Sequence, residues 1–225
     1  MMIHLINMTA IVVGATGLVG THLVEQLIDN NNYKKVLVLT RSPLEKQHEK
    51  LEVHIIDFNK PEEWKHFLKG DVLFSTLGTT LRKAGNKDAQ FLIDYTYQYH
   101  CAKAAAENKV PQYVLVSAAY ASPNSKIFYS RMKGILERDI ATLPFNNISI
   151  VKPGVIAGER KEQRTAERIS ITLFNLLHRI PGLQFTKPIH ASIIAKAMIN
   201  ATNHHPERLN TYELGEVFKL SETIS

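Results

Sequence analysis

A single cysteine, Cys101, stands among the 225 residues, so no intramolecular disulfide can form and the fold must rest on its core. The thiol falls among alanines in a helical pattern, where a buried spectator is expected over a reactive group. No apolar run approaches the roughly 18 residues of a membrane span, so no membrane-spanning helix is expected. The opening MMIHLINM lacks the basic start and long apolar segment of a secretory signal and is expected to lead straight into a strand. Together these absences point to a reducing, cytoplasmic setting. A basic run is missing too. The net charge is +6 and the pI near 9.3, but the lysines and arginines are spread along the chain without an interleaved aromatic platform. Nucleic acid is therefore not an expected partner, and a basic surface suited to phosphorylated cofactors accounts for the balance. No spacing of His, Cys, Asp or Glu matches a metal motif, so no metal is expected. His190 and the His204-His205 pair before Pro206 read as helix ends.

What is present begins at Thr9–Gly20, TAIVVGATGLVG. Ala10–Val13 is a short, bulky apolar run that suits a strand buried on both faces of a sheet. Gly14, Gly17 and Gly20 follow at three-residue spacing, and Leu18–Asn30 then takes helical periodicity. Strand, tight turn and helix start form the context of a dinucleotide-binding turn. Gly14 takes the turn's backbone angles, Gly17 lets the chain approach the pyrophosphate, and Gly20 lets helix and strand pack closely. Free N–H groups and the helix dipole then hold the anion. The form is G-x-x-G-x-x-G, one residue longer between its first two glycines than G-x-G-x-x-G.

The rest of the chain keeps a strand–helix rhythm. Strands are expected at 35–41, 52–56, 71–76, 112–117 and 148–152. Helices are expected at 61–68, 88–108 and 125–143, the second with Phe91, Leu92, Tyr95, Tyr99, Ala102 and Ala106 inward. Such alternation implies parallel βαβ units in a doubly wound α/β Rossmann fold, with ligands beyond the carboxyl ends of the strands. Those ends carry Gly14, Arg41, Asp57, Gly78, Ser117 and Pro153. From about Gly158 the rhythm breaks. A polar loop at 159–168, helices at 169–180 and 190–202 and a strand at 212–214 follow. Residues 158–225 are expected to form a small substrate-side cap on a single domain spanning 1–225.

An NAD-preferring site places a carboxylate after the second strand. Here Thr40-Arg41 stands instead, and Arg41 can pair with a 2′-phosphate, which favours NADP(H) over NAD(H). Asp57 could accept from the adenine amino group or simply close a turn. Arg82 and Lys83 could meet an anion or face solvent.

Tyr129 and Lys133 sit at i and i+4 on an expected helix, and Ser117 ends the preceding strand. The pattern is Ser…Tyr-x-x-x-Lys. Reduction of a carbonyl by hydride needs a proton donor at the developing alkoxide. A phenol can supply it, a nearby ammonium favours the phenolate left behind, and a serine hydroxyl orients the substrate oxygen. Tyr99 and Lys103 share the spacing, but only the first pair follows a strand with a serine at its end.

These residues resemble the short-chain dehydrogenase/reductases, and more narrowly the atypical branch of Tat-interacting-protein-like oxidoreductases. The matching stretches are GATGLVG, DFNKPEEW, GDVLFSTLGTTLRKAG, YVLVS, FYSRMKGILE and KPGV, running from about Ala10 to Thr202. The resemblance implies an NADP(H)-binding oxidoreductase acting on a small carbonyl or alcohol. In it Gly14, Thr16, Gly17, Leu18 and Val19 would contact the pyrophosphate, Arg41 the 2′-phosphate, and Leu77, Gly78 and Thr79 the nicotinamide-side ribose. Lys133 would bind ribose hydroxyls, Pro153 and Val155 would border the nicotinamide, and Ser117 and Tyr129 fall on catalytic positions. Three departures stand out: Ala118 where many relatives have a second serine, Asp94 where they often have asparagine, and Thr79-Thr80 in place of a glycine- or alanine-rich segment. The branch is also linked to regulation, so an NADPH-binding interaction protein with little turnover is the alternative. A protein partner or a homodimer stays open, since the helix bearing Tyr95 and Tyr99 could pack core or a second chain.

Overall fold

The computed structural model describes residues 7–157, 188–204 and 206–223. Its centre is strand β1, Met8–Val13, in which Ala10, Ile11, Val12 and Val13 are wholly buried. Successive side chains on a strand point to opposite faces, so this unbroken apolar run feeds two cores at once. Ala10 and Val12 meet Leu23, Val36, Val38, Ile194 and Met198 on one face. Ile11 and Val13 meet Leu37, Leu39, Trp64, Tyr113 and Leu136 on the other.

Helix α1 (Leu18–Asp29) leads to β2 (Tyr33–Thr40) and β3 (Leu51–Ile55). A one-turn helix α2, Pro61–Trp64, with Pro61 in its first turn, passes into a 3-10 turn at Lys65–Phe67. After β4 (Val72–Ser75) come α3 (Leu81–Ala84), α4 (Lys87–Phe91) and α5 (Tyr97–Glu107), then β5 (Gln112–Val116), α6 (Phe128–Ala141) and β6 (Asn147–Lys152). Strands β7 (Ile156–Ala157) and β8 (Ile189–His190) form a small pair of their own, and α7 (Ala191–Ala201), β9 (Leu209–Glu213) and α8 (Gly215–Glu222) close the chain. The main sheet is parallel throughout, ordered β3-β2-β1-β4-β5-β6-β9. The order runs outward in both directions from β1, so the exits of β1 and β4 part to leave a crevice. This is the doubly wound Rossmann arrangement that the strand–helix rhythm implies.

The described part of the tail joins the main sheet: β9 is its seventh strand, and α7 packs beside α1, where Gln26 Nε2 donates to the Ser192 carbonyl at 2.9 Å. The expected loop at 159–168 and helix at 169–180 lie outside the described residues. The helix expected over 88–108 is interrupted by a π turn, Leu92–Thr96, between α4 and α5. Its extra residue rotates everything beyond it. Leu92 is left exposed, while Asp94, Tyr97, Gln98 and Cys101 point inward. Cys101 is the buried spectator expected, its thiol pushed up by burial.

Candidate functional site

At the carboxyl edge of the sheet lies a cleft of about 790 Å³. The turn after β1 forms its floor. Gly14 has φ +89°, and a Cβ there would come within 2.5 Å of the Leu77 backbone nitrogen. A Cβ on Gly20 would lie 2.1 Å from the Gly14 carbonyl oxygen. Only glycine permits both approaches. Gly17 caps α1 with no side-chain hydrogen bond, and no acidic side chain occupies the first turn. The leading N–H groups therefore face the cleft as an anion cradle beside Thr16, Leu18 and Val19.

Arg41 leaves the end of β2 at one side of the cleft. Among the described lining residues the only carboxylate is Asp94, against Arg41, Lys83, Lys87 and Lys133. A doubly phosphorylated dinucleotide fits this balance, together with the glycine cradle that any side chain would fill. Asp57 does not join the cleft. Its carboxylate is exposed and accepts from the Asn59 backbone N–H at 3.0 Å and side-chain amide at 2.9 Å, which hold it below the usual carboxylate range. Phe58 takes its place, stacked on Tyr97 at 5.3 Å and set edge-on to Trp64 at 5.9 Å.

Beyond the glycine turn, Leu77, Gly78 and Thr79 line the opposite wall. The loop is pinned by the π turn. Thr79 N–H donates to Asp94 Oδ2 at 2.9 Å, and Gln90 Nε2 donates to the Thr79 carbonyl at 3.3 Å. Gln98 holds the turn from within, donating to the Asp94 carbonyl at 2.6 Å and accepting from Ser75 Oγ at 2.7 Å. The extra residue of the π turn thus aims Asp94 into the cleft.

Ser117, Tyr129 and Lys133 all line this same cleft. Tyr129 lies in the first turn of α6 and is 39% exposed. Lys133, one turn on, is buried against Asp94 with Nζ to Oδ1 at 3.8 Å. Burial pushes the Asp94 carboxyl above its ordinary range, against the pull of Lys133 and the Thr79 N–H. Ser117 donates to Glu137 Oε1. Two expected neighbours of the nicotinamide are not among the lining residues. Pro153 is buried and accepts from Ala119 N–H at 3.0 Å, and Val155 is exposed, whereas Ile156 lines the cleft.

The Ser…Tyr-x-x-x-Lys pattern does not reach Glu137 and Lys152. Glu137 stands at i+8 from Tyr129 and i+4 from Lys133, on one stripe of α6, and that spacing was the available signal. Lys152 ends an apolar strand, where a buried cation has no sequence signature.

A family described as NAD(P)H-binding matches residues 14–142. Protein FMP52-1, mitochondrial, of Scheffersomyces stipitis is 32% identical over 228 residues, covering 96% of this chain and all of that one. Protein FMP52, mitochondrial, of Debaryomyces hansenii is 35% identical over 196 residues, covering 86% and 87%. The expected cytoplasmic setting is thereby corrected: these relatives are named as mitochondrial proteins. Among solved structures, the Bordetella bronchiseptica enzyme WbmH in complex with NAD+ superposes with a TM-score of 0.69 at 14% identity, covering 92% of this chain and 75% of that one. The Helicobacter pylori ADP-L-glycero-D-manno-heptose-6-epimerase gives 0.69 at 18% identity, covering 94% and 77%. These likenesses concern the fold. On the matched residues and the glycine cradle, the chain belongs to the NAD(P)H-binding family.

Proposed function

We propose that this protein is an NADP(H)-dependent oxidoreductase of the short-chain dehydrogenase/reductase type, acting on a small carbonyl or alcohol. The observation that carries the reading is the convergence of the uncapped start of α1 with Ser117, Tyr129 and Lys133 on one cleft. The LGTT…KAG stretch supports the Tat-interacting-protein-like branch, and the names of the FMP52 relatives support a mitochondrial setting.

A dinucleotide held by the glycine turn, Arg41 and Lys133 would supply or take up the hydride. In reduction, Tyr129 gives its proton to the carbonyl oxygen as the carbon gains hydride, and the alcohol leaves neutral. Lys133 steadies the phenolate left behind and holds ribose hydroxyls. Ser117 orients the substrate oxygen. Arg41 supports the preference for the 2′-phosphate, since Asp94 is the only carboxylate among the described residues lining the cleft.

The test is NADPH oxidation across a panel of aldehydes and ketones, with native protein and Tyr129→Phe compared. A general acid contributes about 10²–10⁴-fold, so the variant is expected to lose that much kcat while still binding NADPH. Undiminished turnover removes Tyr129 from the mechanism. A second reading, a nucleotide-binding regulator with little turnover, is favoured by one observation: Ser117 and Lys133 are each already engaged by a carboxylate. Tight NADPH binding with no turnover on any carbonyl would select it.

A further inference from the structure

Behind Ser117, away from the cleft, lies a second buried ion pair that hydride transfer as described does not use. Glu137 on α6 accepts the Ser117 hydroxyl through Oε1, and its Oε2 lies 3.4 Å from Lys152 Nζ at the end of β6. Lys152 Nζ also donates to the Ala121 carbonyl at 3.2 Å. The side chains of Glu137 and Lys152 are 14% and 9% exposed. Neither lines the cleft, whereas Ser117 does. The serine is thus the contact between the reacting oxygen and this inner pair.

A hydroxyl has one proton to give and two lone pairs. An ionised carboxylate only accepts. While Glu137 is ionised, the one proton of Ser117 is committed to it, and the serine meets the cleft as an acceptor alone. A developing alkoxide requires donors. When Glu137 carries a proton, its own O–H donates to Ser117, and the serine proton is released toward the cleft.

We propose that Glu137 is a positioning residue for Ser117, and that the serine donates to the reacting oxygen only while Glu137 holds a proton. The inference rests on the oxidoreductase reading of the same cleft. Reduction and oxidation share one transition state, so the requirement applies to both directions. The Glu137 proton is not consumed: Tyr129 supplies the proton that the substrate oxygen gains. The groups facing Glu137 are Ser117 from the exit of β5, Lys152 from β6 and Lys133 one turn earlier on α6. Burial outweighs their combined pull and pushes the carboxyl above the ordinary range.

Glu137→Gln separates positioning from packing. Lys152 can only donate, so it draws the amide oxygen and turns the amide N–H₂ toward Ser117, imitating the protonated acid. With any carbonyl that native protein reduces, native kcat/KM is expected to fall about tenfold per pH unit above the Glu137 ionisation. In Glu137→Gln that limb is expected to disappear. A structural role would lower the rate at every pH and leave the limb in place. A carbon-13 NMR titration of glutamate carboxyls needs no turnover. The resonance missing in Glu137→Gln is expected to titrate above the ordinary value of about 4.3, and higher still in Ser117→Ala, which removes a hydrogen bond to the ionised form. Persistence of the limb in Glu137→Gln, or titration at or below the ordinary value, overturns the proposal alone. Failure of native protein to reduce any carbonyl, with NADPH bound, overturns the oxidoreductase reading and the proposal with it.

Discussion

Lys133 Nζ stands 3.8 Å from Asp94 Oδ1, with the two side chains 3% and 1% exposed. A lysine at this place in the Tyr-x-x-x-Lys pattern is therefore already countered by a carboxylate from the π turn. That carboxylate also pins the Thr79 loop. Cofactor wall, tyrosine helix and π turn are joined through one buried acid.

Stability follows the pH sensitivity of two acids. Burial raises the carboxyls of both Asp94 and Glu137 in the folded chain. The native state then holds protons that the unfolded chain, ionising near about 4, has already released. Their contribution is therefore fully present at low pH and is lost as pH rises through the folded values. Melting temperatures across that window should decline less steeply in Asp94→Asn and in Glu137→Gln than in native protein. Slopes equal to that of native protein would contradict the assignment.

Gly20→Ala tests the floor of the cleft. The added Cβ meets the Gly14 carbonyl oxygen at 2.1 Å, backbone against backbone, with no flexible side chain to yield. A loss of about 3 kcal/mol is expected in urea unfolding, together with loss of NADPH binding. A variant of native stability would mean that the turn can open without cost.

Arg41 is exposed, so its worth is set by what it pairs with. A charge-assisted hydrogen bond contributes about 1.5–3 kcal/mol, and solvent screening puts Arg41 at the lower end. Arg41→Ala should weaken NADPH about tenfold by calorimetry and leave NADH nearly unchanged. Equal weakening of both coenzymes would separate Arg41 from the 2′-phosphate.

Trp64 is the only tryptophan, fully buried, with Nε1 donating to the Asp57 carbonyl at 2.9 Å and its ring set against Phe58. Phe58 in turn lines the cleft. Trp64→Ala should cost about 3–5 kcal/mol and weaken coenzyme binding as Phe58 loses its support. Circular dichroism melting and NADPH titration read the two effects separately.

Part of this protein was legible residue by residue. The β1 run, the glycines after it and the Ser117/Tyr129/Lys133 set depend on local backbone angles and on spacing along one element, which the chain itself carries. The contacts of Glu137 with Ser117 and of Asp94 with Lys133 were not legible. Glu137 meets Lys152 from a strand 15 positions on, and Asp94 reaches Lys133 only because a π turn rotates it inward. The tail's place in the sheet, and the exclusion of Asp57 from the cleft, were settled in the same way. Sequence by itself determined which segments are apolar enough to be strands and where the chain must turn. Only tertiary structure decided which polar side chains lie buried together, because the cost of removing a charge from water is offset by partners that distant segments bring.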